Sequence, residues 1–198
     1  MKQQFPLFKS HIDLAHHYWS LLLEVGDTVI DATCGNGLDT LFLARQCLDK
    51  DKGRLITIDI QMKALIQAKE LLISEVSEEI LSRIYFVHQC HSIFPISLIE
   101  NNVKLVVYNL GYLPKGEKSI TTKVDTTLSS IQSALQLISP GGTISITCYP
   151  GHEEGKREQE VIMNLVQSLD PREWSCCLHQ WLNRTSAPSL LLIQKAIN

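Results

Sequence analysis

The sequence predicts an α/β fold of the Rossmann-like type, with a seven-stranded, mostly parallel sheet and helices on both faces. Apolar runs of strand length alternate with stretches whose apolar residues recur every three to four positions, as in amphipathic helices. This alternation is typical of β-α-β units, which set parallel strands side by side. The last two strand-like runs have no helical pattern between them, so we expect one antiparallel strand in the edge region of the sheet.

Length and composition favour a single domain spanning 1–198, in which residues 1–24 form a helical lead-in. Hydrophobic residues make up 44% of the 198 positions, and no shift in composition marks a second core. The formal charge of −3 argues against a protein that coats nucleic acid indiscriminately. No apolar run approaches the ~18–20 residues of a membrane span, and the start lacks a signal-peptide pattern. We therefore expect a cytosolic protein without a membrane partner.

The first half of the chain opens with a helix over 11–23, where apolar residues recur at helical spacing. Val25-Gly26-Asp27 form the turn into a first strand over 28–32. After a glycine-spaced turn the helical pattern returns and ends before residue 50. A strand over 54–59, a helix over 61–76 and a short strand over 84–88 follow.

The second half begins with a strand over 104–109, whose nearly continuous apolar run is typical of a strand buried on both faces. A helix over 121–139 is expected to end at Pro140-Gly141-Gly142. A strand over 143–149, a helix over 158–169 and strands over 174–182 and 189–194 complete the chain.

The turn after the first strand, Asp31-Ala-Thr-Cys-Gly-Asn-Gly37, predicts a ligand site. Gly35 and Gly37 are expected where the backbone takes positive φ or lies against a ligand. A ligand over this turn would meet backbone N–H groups and the positive end of a helix. The third glycine of G-x-G-x-x-G is missing, which disfavours a dinucleotide pyrophosphate. The alternative is an α/β domain whose glycines only make a tight turn.

Two carboxylates flank this turn. Asp31 would repel a pyrophosphate but suits a cationic amine or sulfonium. Asp59 ends the second strand, 59 − 37 = 22 positions after Gly37, the spacing at which an acidic residue takes ribose hydroxyls. S-adenosylmethionine combines a nucleoside with a cationic amino-acid tail, so we expect it as the cofactor. The residues predicted to bind it are Asp31, Cys34, Gly35, Asn36, Gly37, Asp39, Thr40, Asp59, Ile60, Gln61, Gln89, His91 and Asn109.

The carboxyl end of the fourth strand carries a second motif, Asn109-Leu110-Gly111-Tyr112. Ligands of open α/β sheets bind beyond the carboxyl ends of strands. There an amide and a backbone carbonyl could hold a nitrogen nucleophile while the aromatic ring packs on its substrate. A strand followed by a plain turn is the alternative. We predict that the catalytic residues are Asn109, Tyr112 and His152, with His91 as another candidate proton acceptor.

Basic residues follow the fourth and fifth strands and could dock an anionic substrate despite the negative total charge. Nearby glutamates dilute this charge, so a solvated loop is the alternative. The predicted substrate-binding residues are Leu110, Gly111, Lys115, Lys118, Tyr149 and Lys156.

The motifs resemble a family of small bacterial class I methyltransferases, once labelled rRNA methylases and now associated with the tRNA wobble uridine. The matching stretches are 31–44, 109–119, Thr126-Thr127 and 149–155, in the family's order. The resemblance implies that the chain methylates the amine of 5-aminomethyl-2-thiouridine in tRNA, giving 5-methylaminomethyl-2-thiouridine. The residues by themselves indicate only a methyltransferase acting on nitrogen.

The chain departs from the family pattern at two places. Gln89-Cys90-His91 stands where the family carries an acidic residue before Gly-His, so a carboxylate that could contact the adenine amine is absent. Near the end only Asn183 and Pro188 match a loosely patterned tail.

Other functions remain open at this point. The acceptor could be rRNA, a protein side chain or a small amine, or the chain could be a silent methyltransferase-fold protein that binds RNA. Intact Asn109, Tyr112, Asp31 and Asp59 argue against silence. The histidine pairs lack a matching cysteine or carboxylate cluster, so we expect no metal, and the six cysteines are expected to be small buried hydrophobes. Homodimer formation is also left open.

Overall fold

The computed structural model describes residues 10–95, 101–111, 121–184 and 186–197. The strands are β1 (Thr28–Asp31), β2 (Arg54–Asp59), β3 (Ile84–His88), β4 (Val103–Asn109), β5 (Ile138–Cys148), β6 (Trp174–His179) and β7 (Ser189–Lys195). The helices are α1 (His11–Leu22), α2 (Leu38–Cys47), α3 (Met62–Glu75), α4 (Glu78–Leu81), α5 (Val124–Leu137) and α6 (Glu153–Gln167).

The described strands form one sheet in the order β3-β2-β1-β4-β5-β7-β6. The first five strands pair in parallel, and β7 is antiparallel to both of its neighbours. The predicted Rossmann-like sheet with one antiparallel strand in the edge region is therefore confirmed. The chain order reverses between β1 and β4, and ligands of such sheets bind at this switch point.

Both faces of the sheet are covered, because side chains alternate along each buried strand. In β4, Val106 and Tyr108 belong to the core beneath α5 and α6. Leu105 and Val107 belong to the core beneath α1, α2 and α3, which includes Trp19. This packing holds the carboxyl ends of β1, β2, β4 and β5 at one edge.

Several boundaries differ from those expected. β5 begins at Ile138 instead of 143 and runs through Pro140-Gly141-Gly142, and its register with β4 shifts at this point. A bulge of this kind accommodates proline within a strand, so these residues do not separate α5 from β5 by a loop. A Cβ on Gly142 would lie 2.8 Å from the carbonyl oxygen of Lys104, which explains the glycine.

Two helices and one strand also differ from what the sequence predicted. α6 begins at Glu153 instead of 158, since His152 caps its first turn. The short helix α4 was not expected, and its first turn is capped by the Ser77 hydroxyl. β6 ends at His179 instead of 182. None of the described helices is long and apolar enough to cross a bilayer.

The expectation that the cysteines are buried holds for only part of the set. Cys34, Cys47 and Cys148 are buried, and Cys90 is partly buried. Cys176 and Cys177 are exposed, because they lie on β6 at the edge of the sheet.

Candidate active site

Asp31 lies at the carboxyl end of β1 and is fully buried. Its carboxylate accepts hydrogen bonds from the Thr40 hydroxyl at 2.6 Å and from the Thr33 N–H at 3.2 Å. Burial raises the pKa of Asp31 to about 7, although the bond from Thr40 opposes the shift. A buried carboxyl group of this kind favours a cationic partner, because a nearby positive charge restores its ionised form.

Both glycines of the turn after β1 make close contacts within the protein. Gly37 has φ +79° at the start of α2, and a Cβ there would lie 2.6 Å from the Cβ of Ala68 on α3. Its small size therefore permits the close approach of two helices. Gly35 also has positive φ, and its N–H donates to the Asp59 carboxylate at 2.9 Å.

Asp59 closes the turn from the neighbouring strand. One carboxylate oxygen accepts the Gly35 N–H and the other accepts the Gln61 N–H at 2.8 Å. Each oxygen retains a lone pair, so the carboxylate is oriented yet able to accept hydroxyl groups. The other predicted cofactor residues on this side differ in exposure: Cys34 and Thr40 are buried, whereas Asn36 and Ile60 are exposed.

The segment after β3 carries Gln89 and His91. The Gln89 amide donates to the carbonyl oxygen of Ile93 at 2.5 Å. His91 is buried, with its Nε2 3.5 Å from the Thr127 hydroxyl and its ring edge-on to Tyr108. Burial lowers the pKa of His91 to about 4, so its ring is neutral at physiological pH.

Asn109 ends β4 and joins three elements. Its N–H donates to the Thr33 hydroxyl at 2.7 Å, and its side-chain NH₂ donates to Asp39 at 2.7 Å. The other oxygen of Asp39 lies 2.6 Å from Nε2 of His16 on α1. The structure thus brings Asp39, predicted as a cofactor residue, against the predicted catalytic Asn109.

The backbone after Asn109 is held by polar groups that are buried or partly buried. Leu110 is buried, and its N–H donates to the Thr147 carbonyl. Gly111, at φ +119°, donates its N–H to the Thr122 hydroxyl at 2.8 Å and accepts the Thr122 N–H at 3.0 Å. The Thr122 hydroxyl donates in turn to Glu158 at 2.9 Å. Tyr112, Lys115 and Lys118 lie outside the described residues.

Glu158 is a buried carboxyl group that the sequence analysis did not identify as part of a site. It also accepts a hydrogen bond from the Thr127 hydroxyl at 2.5 Å, and burial raises its pKa. Glu158 therefore ties α6 to α5 and, through Thr122, to Gly111.

Tyr149 and His152 follow β5. The Tyr149 hydroxyl lies 3.0 Å from Nε2 of His11, and burial raises the pKa of Tyr149 to about 12. Nδ1 of His152 accepts the Gly155 N–H at 3.1 Å, so the proton of the neutral ring is on Nε2. Lys156 is exposed and lies 3.9 Å from Glu153. The proton-acceptor role of His152 stays a prediction.

Two histidines of α1 belong to the site, although no sequence motif indicated them. His11 contacts Tyr149, and His16 contacts Asp39, yet neither belongs to a motif with Asn109. The apolar residues around them indicated α1 itself, but only the tertiary packing brings the two histidines to the carboxyl edge. Among the described residues, no group of three or more His, Cys, Asp or Glu side chains is arranged to hold a metal ion.

Comparisons with known proteins agree on one family. The family model described as “Putative rRNA methylase” matches residues 55–195. A chloroplastic protein of Arabidopsis thaliana, named tRNA (mnm(5)s(2)U34)-methyltransferase, is 39% identical over 194 residues, covering 96% of this chain and 71% of its own length.

Solved structures are similar over nearly the full length. A crystal structure of a “putative rRNA-methylase” from Clostridium thermocellum is 32% identical, with a TM-score of 0.87, and covers 95% of this chain and 98% of its own. A “putative methyltransferase” from Streptococcus mutans, crystallised with SAH, is 30% identical with a TM-score of 0.81 and covers 95% and 99%.

Proposed function

The chain belongs to the rRNA methylase family, and we propose that it methylates the amine of 5-aminomethyl-2-thiouridine at the wobble position of tRNA, giving 5-methylaminomethyl-2-thiouridine. The observation that best supports this substrate is the 39% identity, over 96% of the chain, to a relative named for this reaction. The chain is a methyltransferase, and S-adenosylmethionine is its cofactor.

The residues on the β1–β2 side fit this cofactor. The buried Asp31 carboxyl suits the cationic amine of the amino-acid tail, since this pairing offsets the cost of burying its charge. The oriented Asp59 carboxylate can accept the ribose hydroxyls. When bound, S-adenosylmethionine supplies an electrophilic methyl group on sulfur.

The β4–β5 side must hold the acceptor nitrogen in line with that methyl group. Alignment of the reacting atoms is the larger task in a displacement of this type. Asn109 is proposed to orient the amine through its side-chain oxygen and its backbone carbonyl, while Tyr112 packs on the base. The Gly111–Thr122–Glu158 contacts support this segment by fixing its backbone.

The acceptor amine must also lose a proton, because a primary amine with a lysine-like pKa of about 10 is mostly protonated at neutral pH. The nitrogen attacks through its lone pair, so one proton leaves before attack, and the methylated product can leave as a secondary ammonium while sulfur keeps the electron pair of the broken C–S bond. Desolvation in the pocket favours the neutral amine. His152 and His91 remain the proposed proton acceptors, but both are weak ones, because Nδ1 of His152 already accepts the Gly155 N–H and burial lowers the pKa of His91. Positioning is therefore proposed as the main contribution.

The proposed partner is tRNA, approached through Lys115, Lys118 and Lys156. If these side chains contact phosphates, affinity for tRNA should fall with salt, and neutralising Lys115 and Lys118 together should reduce the salt slope by about one to two units. The cytosolic location and the homodimer stay predictions, and the Arabidopsis relative is named as chloroplastic.

Mass spectrometry of tRNA nucleosides tests the proposed function directly. Cells lacking the gene should accumulate 5-aminomethyl-2-thiouridine and lose its methylated form, and purified protein with S-adenosylmethionine should restore the methyl group in isolated tRNA. Methylation confined to rRNA in the same extract would instead support the activity named in the family description. A variant Asp59→Asn, which keeps an acceptor but loses the charge, should bind cofactor about 1–3 kcal/mol more weakly by calorimetry.

A further inference from the structure

We infer that Asp39, held in place by His16, is a positioning residue that fixes the Asn109 side chain with its oxygen facing the acceptor amine. This inference rests on the proposed function, in which Asn109 holds that amine. It assigns a role to a helix, α1, that carries none of the sequence motifs of the site.

The direction of the Asn109 amide follows from its partner. An ionised carboxylate only accepts hydrogen bonds, whereas an amide has a donor end and an acceptor end. The Asn109 NH₂ group lies 2.7 Å from an Asp39 oxygen, so the amide oxygen must point away from Asp39. The opposite orientation would put two oxygens in contact. Asp39 therefore selects which end of the amide remains for a substrate.

His16 in turn fixes Asp39. Its Nε2 lies 2.6 Å from the second carboxylate oxygen and must donate to it. The imidazole is stacked on Phe42, with centroids 3.9 Å apart and an interplanar angle of 16°, and it is tilted against Trp19. The Asp39 side chain is only 14% exposed. Neither ring nor carboxylate is therefore free to turn while α1 remains packed.

This arrangement suits the chemistry of the acceptor. An amine about to attack needs an acceptor for its N–H, because that bond directs the nitrogen lone pair. An NH₂ group presented at the same place would repel the amine hydrogens. One Asp39 oxygen accepts from His16 and the other from Asn109, and the proposed effect of Asp39 on the amine passes through Asn109.

A reciprocal exchange tests the inference. Asp39→Asn removes the obligate acceptor, and Asn109→Asp puts two carboxylates in contact, so each single variant should lower kcat at least tenfold on 5-aminomethyl-2-thiouridine tRNA. In the double variant, the amide at position 39 can accept from His16 and donate to the carboxylate at position 109. The kcat of the double variant should be at least fivefold higher than that of the slower single variant. Its kcat–pH profile should move to higher pH, because the nearby carboxylate charge stabilises the ammonium form of the substrate.

A matched pair of histidine variants separates this role from helix stability. His16→Asn should lower kcat several-fold, whereas His17→Asn, on the exposed side of the same helix, should leave it unchanged. Melting temperatures of both variants report any general loss of packing. Equal kcat values for the two variants would overturn the part assigned to His16.

Two other results would overturn the inference. Strictly additive losses in the double variant would mean that positions 39 and 109 are not coupled. Tenfold weaker cofactor binding in Asp39→Asn with kcat unchanged would make Asp39 a cofactor contact instead.

If wild-type protein fails to methylate the tRNA, the proposed function is wrong. The contact is then tested by NMR, where the Asn109 side-chain amide resonances should shift in Asp39→Asn, and unchanged resonances would overturn it.

Discussion

The two halves of the active edge are built in different ways. On the β1–β2 side, Asp31 bonds to Thr40, and Asp59 bonds to Gly35 and Gln61, so these partners lie no more than 24 positions apart and several of the donors are backbone N–H groups. On the β4–β5 side, His11 contacts Tyr149, which lies 138 positions further along the chain, and Asp39 contacts Asn109, which lies 70 positions further. The cofactor side is thus a local turn, whereas the acceptor side depends on helices α1, α5 and α6 being packed.

Substitution of Gly37 should cause the largest loss of stability, because this residue of the turn also packs directly against Ala68 on helix α3. In Gly37→Ala, positive φ adds strain, and the new methyl group would meet Ala68 at 2.6 Å. Strain and overpacking together should lower the free energy of unfolding by about 4 kcal/mol. Urea denaturation of both proteins measures the loss.

Gly111→Ala is the control on the acceptor side. Gly111 also has positive φ, but among the described residues the nearest atom to a new Cβ would be Tyr149 Cβ at 4.0 Å. The free energy of unfolding of Gly111→Ala should therefore fall only by the cost of backbone strain, about 1–3 kcal/mol. An equal loss in the two variants would mean that the Ala68 contact relaxes at little cost.

The next largest effect is expected at Asn109, where the rate should fall while the cofactor side stays intact. Asn109→Ala removes the group proposed to hold the amine, so kcat should fall by about 10²-fold, the scale of lost alignment. Affinity for S-adenosylmethionine should remain near that of wild type. Single-turnover methylation and calorimetry measure the two quantities. Full activity would show that other groups hold the amine.

This difference also explains what the sequence could predict. The mostly parallel sheet with one antiparallel strand, the positive φ of Gly35 and the placement of Asp59 beside the turn were predictable from local patterns, and the structure agrees. Gly37 has the positive φ that was one of its two expected reasons, but its small size is also required by Ala68, which no local pattern indicates.

On the acceptor side, the position of Asn109 at the end of β4 was predictable, but its partners were not. His16 and Asp39 are brought to it by tertiary packing between α1, α2 and β4. Glu158 looked like one of several surface glutamates, yet the early start of α6 at Glu153 puts it in the interior. Isolated charges do not reveal which face of a helix they occupy.

A pH titration tests the cofactor side through Asp31, whose pKa rises from 3.8 to about 7 on folding. The folded protein keeps a proton that the unfolded chain releases, so this group stabilises the fold fully below pH 3.8 and its contribution is lost as pH rises through 7. Relative to Asp31→Asn, wild type should lose up to about 1.4 kcal/mol of stability per pH unit within this window.

Comparing the two proteins removes the opposite contribution of His91, which both contain. The pKa of His91 is lowered to about 4, so its contribution is present above 6.5 and is lost as pH falls through 4. Urea midpoints at several pH values between 4 and 7.5 measure the difference. A pH-independent difference would show that Asp31 is ionised throughout. Cofactor binding should release a proton near pH 6.5, because a cationic tail favours the ionised carboxyl.

The smallest effect is expected at Tyr149, where a single contact couples α1 to the end of β5. Tyr149→Phe keeps the ring but removes the hydroxyl that lies 3.0 Å from His11 Nε2. The free energy of unfolding should fall by about 0.5–1.5 kcal/mol, the usual range for one hydrogen bond, and kcat should change less than threefold. A cycle with His11→Gln should give a coupling energy close to this loss if the two side chains act as a pair. If instead stability is unchanged while kcat/KM falls tenfold, the hydroxyl contacts the substrate, in line with the prediction that Tyr149 binds substrate, and the acceptor side depends less on α1 than its contacts indicate.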